Sequence, residues 1–133
     1  MSQNWVKDIA EMHSKYKVHE WIENNPDKLE QLLHFRIAFL KEEFDETFKA
    51  TGEKDAEEIV DGLIDLCVVA IGTLDAFGID ASKAWDEVHK ANMSKEVGVK
   101  ESRPNPLGLP DLIKPADWKA PSHTGNHGKF NNI

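Results

Sequence analysis

A chain of 133 residues with 24 Asp and Glu against 16 Lys and Arg carries a formal charge of −8. That charge excludes a nucleic-acid backbone as the main partner, because binding it needs a basic surface. A hydrophobic content of 40% with 30% charged residues excludes disorder and suffices for one domain over residues 1–133, and the lone Cys67 excludes an intrachain disulfide.

The N-terminal MSQNWVKDIAEMH has no apolar signal-peptide core. Residues 3–24 are predicted as a first helix with Trp5, Ile9, Met12, Tyr16 and His19 along one side. Asn24-Asn25-Pro26 breaks it, since proline restricts the residue before it and favours a first helical turn. A second helix is predicted over 26–50. Its apolar stripe is Leu29, Leu33, Ile37, Leu40, Phe44 and Phe48, and Thr51-Gly52 stops it. The third runs from about Asp55 to Phe77, where Gly78 gives the stop signal. Asp80 caps a fourth over 81–95, with Ala84, Trp85, Val88 and Ala91 inward. The expected fold is therefore all-α and four-helix-bundle-like, with a helical core over about 3–96.

Five of the six prolines and four of the eight glycines lie beyond Val97, so residues 97–133 are expected to be an irregular tail. Trp118 and Leu112 should pack back on the helices, and the last dozen residues should be mobile. The longest apolar run, 63–78, is interrupted by Asp65 and Asp75 and is too short to span a bilayer. Cys67 within it reads as a buried, inert thiol. The chain is expected in the cytoplasm, with no membrane partner.

Residues 41–66 hold ten of the 24 acidic residues. On a wheel of about 100° per residue, Glu42, Glu43 and Glu46 share a third of the second helix and border its apolar stripe. Phe35 and Phe39 continue that ridge. Glu58, Asp61 and Asp65 share one narrow face of the third helix, and apolar residues cover nearly all the rest. Such a helix reads as buried, which would aim its acids into the protein or a cleft. Buried carboxylates repel one another and resist desolvation, and hard divalent cations relieve both. An all-oxygen set suits Mg²⁺ or Mn²⁺ better than zinc. Glu42 to Glu46 alone would read equally well as solvated surface, and Glu53, Asp55 and Glu57 read as surface outright.

Glu42-Glu43-x-x-Glu46 followed by Glu58-x-x-Asp61 resembles the signature of the all-α NTP pyrophosphatase superfamily. That group includes the MazG-like enzymes, dimeric dUTPases, dCTPases and phosphoribosyl-ATP pyrophosphohydrolases. VHKANMSK at 88–95 and DLIKPADWKAP at 111–121 resemble later segments of its MazG-like and phosphoribosyl-ATP pyrophosphohydrolase-like members. The resemblance covers about residues 30–121. It implies hydrolysis of a nucleoside triphosphate to the monophosphate and pyrophosphate with Mg²⁺, Mn²⁺ also being accepted. By the same resemblance Glu43, Glu46, Glu58 and Asp61 hold the metal, and Glu42 or Glu43 handles the water. Asn92 and Lys95 reach the phosphates. Asp65 lies outside the signature, but four residues after Asp61 it shares the same face and is expected to add a ligand or support one from behind.

Base contacts would come from the first two helices, with His13, Trp21, Phe35, Phe39, Arg36 and Asn92 as candidates. The single-domain length and the ANMSK block are similar to the phage MazZ subgroup, which prefers (d)GTP; a phage-encoded chain would work in the host cytoplasm. The resemblance also implies a homotetramer built as a dimer of dimers, or a dimer.

Phosphoribosyl-ATP hydrolysis in histidine biosynthesis is the alternative substrate reading. Against it, EVGVKESRPNPLGLP replaces the glycine-containing stretch that follows the lysine in that enzyme. A non-enzymatic acidic docking module is the alternative outside enzymes. A di-iron bundle would need two Glu-x-x-His pairs, and only Asp86-x-x-His89 comes near. His123 and His127 are spaced for a helical metal pair, but their Gly-rich setting argues against a helix.

Overall fold

The computed structural model describes residues 3–100, 102, 107–108 and 111–133. Among them are α1 (Trp5–Lys15), α2 (Val18–Asn24), α3 (Leu29–Gly52), α4 (Ala56–Ala76) and α5 (Ala81–Met93). The fold is all-α, helical-bundle-like, with a short irregular C-terminal region. The chain resolves into two compact units, Met1–Ala81 with His127–Ile133, and Ser82–Asn126.

In the first unit, Asn4 Oδ1 caps α1 by accepting the Lys7 N–H at 3.0 Å. The single helix expected over 3–24 is in fact two. Lys17 sits at φ 59°, in the left-handed region, and α2 starts after it. Such a conformation costs a non-glycine residue about 1–2 kcal/mol. No glycine or proline announces this break. Its cause is tertiary: it brings His19 as well as His13 onto Asp75 of α4. The buried side of α1 is accordingly Ile9 and His13, while Trp5, Met12 and Tyr16 are exposed.

A 3₁₀ turn at Pro26–Lys28 precedes α3, so the α-helix proper begins at Leu29. The predicted stripe is covered only near its start. Leu29 is buried and Leu33 packs on the core, but Ile37, Phe44 and Phe48 are exposed, Phe48 by 69%. The buried face at the far end of α3 is instead Thr47 and Ala50. On α4 the fully buried residues are small: Gly62, Val69, Gly72, Thr73 and Ala76. Small residues let α3 and α1 approach closely along one face, so the expectation of a helix buried all round is corrected. Val60, Leu63 and Ile64 are exposed, and Cys67 is only half-buried. The predicted ends of α4 are correct. Asp55 accepts the Glu58 N–H at 3.2 Å, and Gly78 follows at φ 73°.

The core joins Ile22, Leu29, Ala76 and Phe77, with Phe130 packed on it. Phe130 comes from a 3₁₀ turn at Gly128–Asn132 and stacks on the fully buried Phe77 at 4.6 Å. The Lys129 N–H donates to the Phe77 carbonyl at 2.7 Å. A mobile end was expected from composition; one aromatic ring and this backbone bond anchor residues 128–132 instead.

The second unit contains most of α5 and an antiparallel ribbon of β1 (Glu96–Gly98) and β2 (Asp111–Ile113), with Val97 opposite Leu112. The sequence had suggested no strand, because three-residue strands are too short for alternation to register. Trp118 does pack back, its Nε1–H donating to the Ala91 carbonyl at 2.8 Å. Leu112 does not; it stays exposed. The inner side of α5 is Ala81 and Ala91, with Trp85 and Val88 exposed. Pro104, Pro106 and Pro110 of the expected irregular stretch lie outside the described residues. Among the described residues no single helix is long and apolar enough to cross a membrane.

Candidate active site

The α3–α4 seam is close-packed where Gly62 faces Thr47. A Cβ on Gly62 would collide with the Thr47 hydroxyl and lie 3.1 Å from its Cβ. Thr47 is buried, and its hydroxyl donates to the Glu43 carbonyl at 2.7 Å. This close contact is thus one turn from Glu43 on one side and next to Asp61 on the other. A glycine inside a helix costs about 1 kcal/mol relative to alanine. Gly62 was therefore a usable sign of close packing that the acid spacing overshadowed.

Around this point the acids converge on Glu43. Glu43 is a partly buried residue whose carboxyl reaches solvent, and its pKa is raised first by desolvation and then by the charges of Glu46, Asp65, Glu42 and Asp61. Residues of both helices therefore share one negative field. Asp65, which lies outside the sequence signature, is among them. The acids are also wetter than the sequence suggested: Glu42, Glu46, Glu58 and Asp61 are exposed and Asp65 is half-buried. Among the described residues none of the six has a cationic partner; the nearby pairs are Lys41–Asp45 and Lys49–Glu53. Unneutralised acids held together across a helix seam form a donor set suited to a hard divalent cation.

Trp21, Phe35 and Arg36 line a cavity of about 550 Å³ together with Tyr16, Asn24 and Asn25. Phe39 stands beside this wall, edge-on to Phe35 at 6.4 Å. Arg36 is partly committed elsewhere. Its Nε–H donates to Thr73 Oγ1 and its Nη2–H to the Val69 carbonyl, both at 3.0 Å, and burial lowers its pKa. His13, a candidate base contact, faces Asp75 instead.

Asn92 and Lys95 belong to the second unit, where the end of α5 is tied down. The Lys95 N–H donates to the Asn92 carbonyl at 3.2 Å, and the Lys95 ammonium lies 5.4 Å from the centre of the Trp118 ring. Lys114 approaches the same ring at 4.8 Å. Trp118 thereby links the ANMSK block to the KPADWKAP block, a connection that spacing alone did not reveal.

The family model for phosphoribosyl-ATP pyrophosphohydrolase matches residues 16–92. The chain belongs to this family. Its membership places it in the all-α NTP pyrophosphatase superfamily and makes it a nucleotide pyrophosphohydrolase-type enzyme. The match spans all six acids, the aromatic cavity wall and Asn92, and stops short of Lys95. Comparison with curated proteins and with solved structures returns no significant match.

Proposed function

We propose that this pyrophosphohydrolase cleaves a nucleoside triphosphate, GTP or dGTP foremost, to the monophosphate and pyrophosphate. The observation that carries the reading is Glu43, a partly buried residue in the field of four other carboxylates, with no cationic partner among the described residues. Glu43, Glu46, Glu58 and Asp61 would hold Mg²⁺ or Mn²⁺, with Asp65 in support. When bound, the ion neutralises the triphosphate oxygens and lowers the pKa of the attacking water.

Glu42 or Glu43 orients that water and takes its proton. Oxygen then bonds to the α-phosphorus, and the α–β bridging bond breaks. Its electron pair leaves with pyrophosphate. Lys95 and Asn92 bind phosphate oxygens, Lys95 offsetting the charge that develops there. Trp21, Phe35 and Phe39 offer stacking surfaces to the base, and Arg36 offers a polar contact.

Exposed Ile37, Phe44 and Phe48 on α3, with Val60, Leu63 and Ile64 on α4, support a homo-oligomer, a dimer of dimers in this reading.

The test is pyrophosphate release with Mg²⁺ or Mn²⁺ across the common NTPs and dNTPs and phosphoribosyl-ATP, with Glu46→Ala and Asp61→Ala alongside. Release from guanine nucleotides, lost in both variants, is the expected outcome. The family match itself favours a second reading, phosphoribosyl-ATP as the substrate. Turnover of that compound alone would establish it, together with rescue of a histidine auxotroph.

A further inference from the structure

We propose that His13, His19 and Asp75 form a second metal site, separate in chemistry from the acidic seam and suited to zinc-like divalent ions. The three residues come from α1, α2 and α4. His13 Nδ1 and His19 Nε2 each lie 2.7 Å from the same oxygen, Asp75 Oδ2. All three ligand atoms lie within 4.8 Å of one another, and no other trio of His, Cys, Asp or Glu does so among the described residues.

Two imidazoles and a single carboxylate are the donors of a borderline ion such as Zn²⁺ or Co²⁺. Mg²⁺ and Ca²⁺ want several anionic oxygens, and here there is one. The Arg36 guanidinium close to the His13 ring further disfavours a hard ion held by charge alone. Its Nη2 and the His13 ring both crowd the point where a Cβ on Gly72 would stand, at 2.5 and 3.3 Å.

Both ring nitrogens donate their N–H to Asp75 without a metal. To ligate one, each neutral ring moves its proton to its other nitrogen, so no net charge changes. Ligand atoms about 2.1 Å from a tetrahedral ion stand about 3.4 Å apart, so the rings need to part by less than 1 Å. His19 can provide that movement, because its side chain is 45% exposed while that of His13 is 4% exposed. The exposed side also leaves a face open to water as the remaining ligand.

The strained turn at Lys17 fits this assignment. It lies between the two histidines, and Tyr16, Lys17 and Val18 line the 550 Å³ cavity. An ion clipping His13 and His19 to Asp75 therefore fixes one wall of that cavity.

Equilibrium dialysis of the full chain with Co²⁺, read together with its visible d–d absorption, tests the site in a Glu46→Ala/Asp61→Ala background that disables the acidic seam. The expected result is one equivalent of Co²⁺ with imidazole-type bands, competed by Zn²⁺ but not by Mg²⁺. His19→Ala changes an exposed side chain and should retain the helical circular dichroism while weakening binding at least tenfold, since even residues behind a metal ligand are worth about 10–100-fold. Asp75→Asn should act likewise. Loss of Co²⁺ binding in the acidic-seam background, or unchanged binding in His19→Ala, would overturn the assignment. Neither outcome bears on pyrophosphate release, so this site and the proposed reaction stand or fall separately.

Discussion

Two glycines of α4 mark two polar stretches of one helix that solve the same problem in opposite ways. At Gly72 every polar group nearby is answered from within the chain. Arg36 bonds Val69 and Thr73, and Asp75 accepts from two histidines. At Gly62 the helices also come close, yet among the described residues the acids around Glu43 have no cationic partner. A folded chain rarely gathers charge that it leaves unbalanced. The Gly72 stretch meets its polar groups within the chain, whereas the acids of the Gly62 stretch have no cationic partner among the described residues.

The sharpest way to break this contrast is at the acids. Glu46→Ala and Asp61→Ala should bring pyrophosphate release below detection while the unfolding temperature of the metal-free protein stays the same or rises. A fall in stability would mean that these carboxylates serve the fold. Next comes Gly62→Ala, which drives a methyl into Thr47 where the partner is buried. Chemical denaturation should show a loss of about 1–3 kcal/mol, with Thr47→Ala in the same chain recovering part of it.

Gly72→Ala should cost less, about 1 kcal/mol, because the far end of a flexible arginine can swing away at the loss of its hydrogen bond to Val69. Equal losses at the two glycines would erase the distinction. The smallest effect concerns pH. Glu43 has a raised pKa in the fold, so its contribution is most favourable below the ordinary glutamate range and is lost as pH rises through the raised value. Thermal melts without metal should therefore decline across that window, Glu43→Gln should flatten the decline, and Mg²⁺ should stabilise more at pH 7 than at pH 5.

Helix ends with local chemistry were legible: Asp55 as a cap and Gly78 as a stop needed nothing beyond their own neighbours. The acid pattern was legible for the same reason, since spacing on a helix fixes which residues share a face. The partner of each face was not. Phe44 and Phe48 fit an apolar stripe on any wheel, but whether this chain or another covers them is a tertiary matter, and here Thr47 and Ala50 take the seam. Composition also misled at the C-terminal end, where glycine, asparagine and histidine outweighed Phe130 in number but not in buried area. Lys17 carried no signal at all, because the turn there goes with the contacts of His13 and His19 to Asp75, far along the chain.

The ring of Phe130 on Phe77 has a topological meaning as well. The first unit is written in two pieces, with the whole of the second unit spliced between them, so no single cut releases it intact. Truncation after α4 would leave Phe77 without its lid. A nick between residues 82 and 126 would instead yield two fragments that still own complementary halves of one core. Such fragments should find each other when mixed, and the short 127–133 piece would then be a peptide-sized handle on the stability of the entire helical unit.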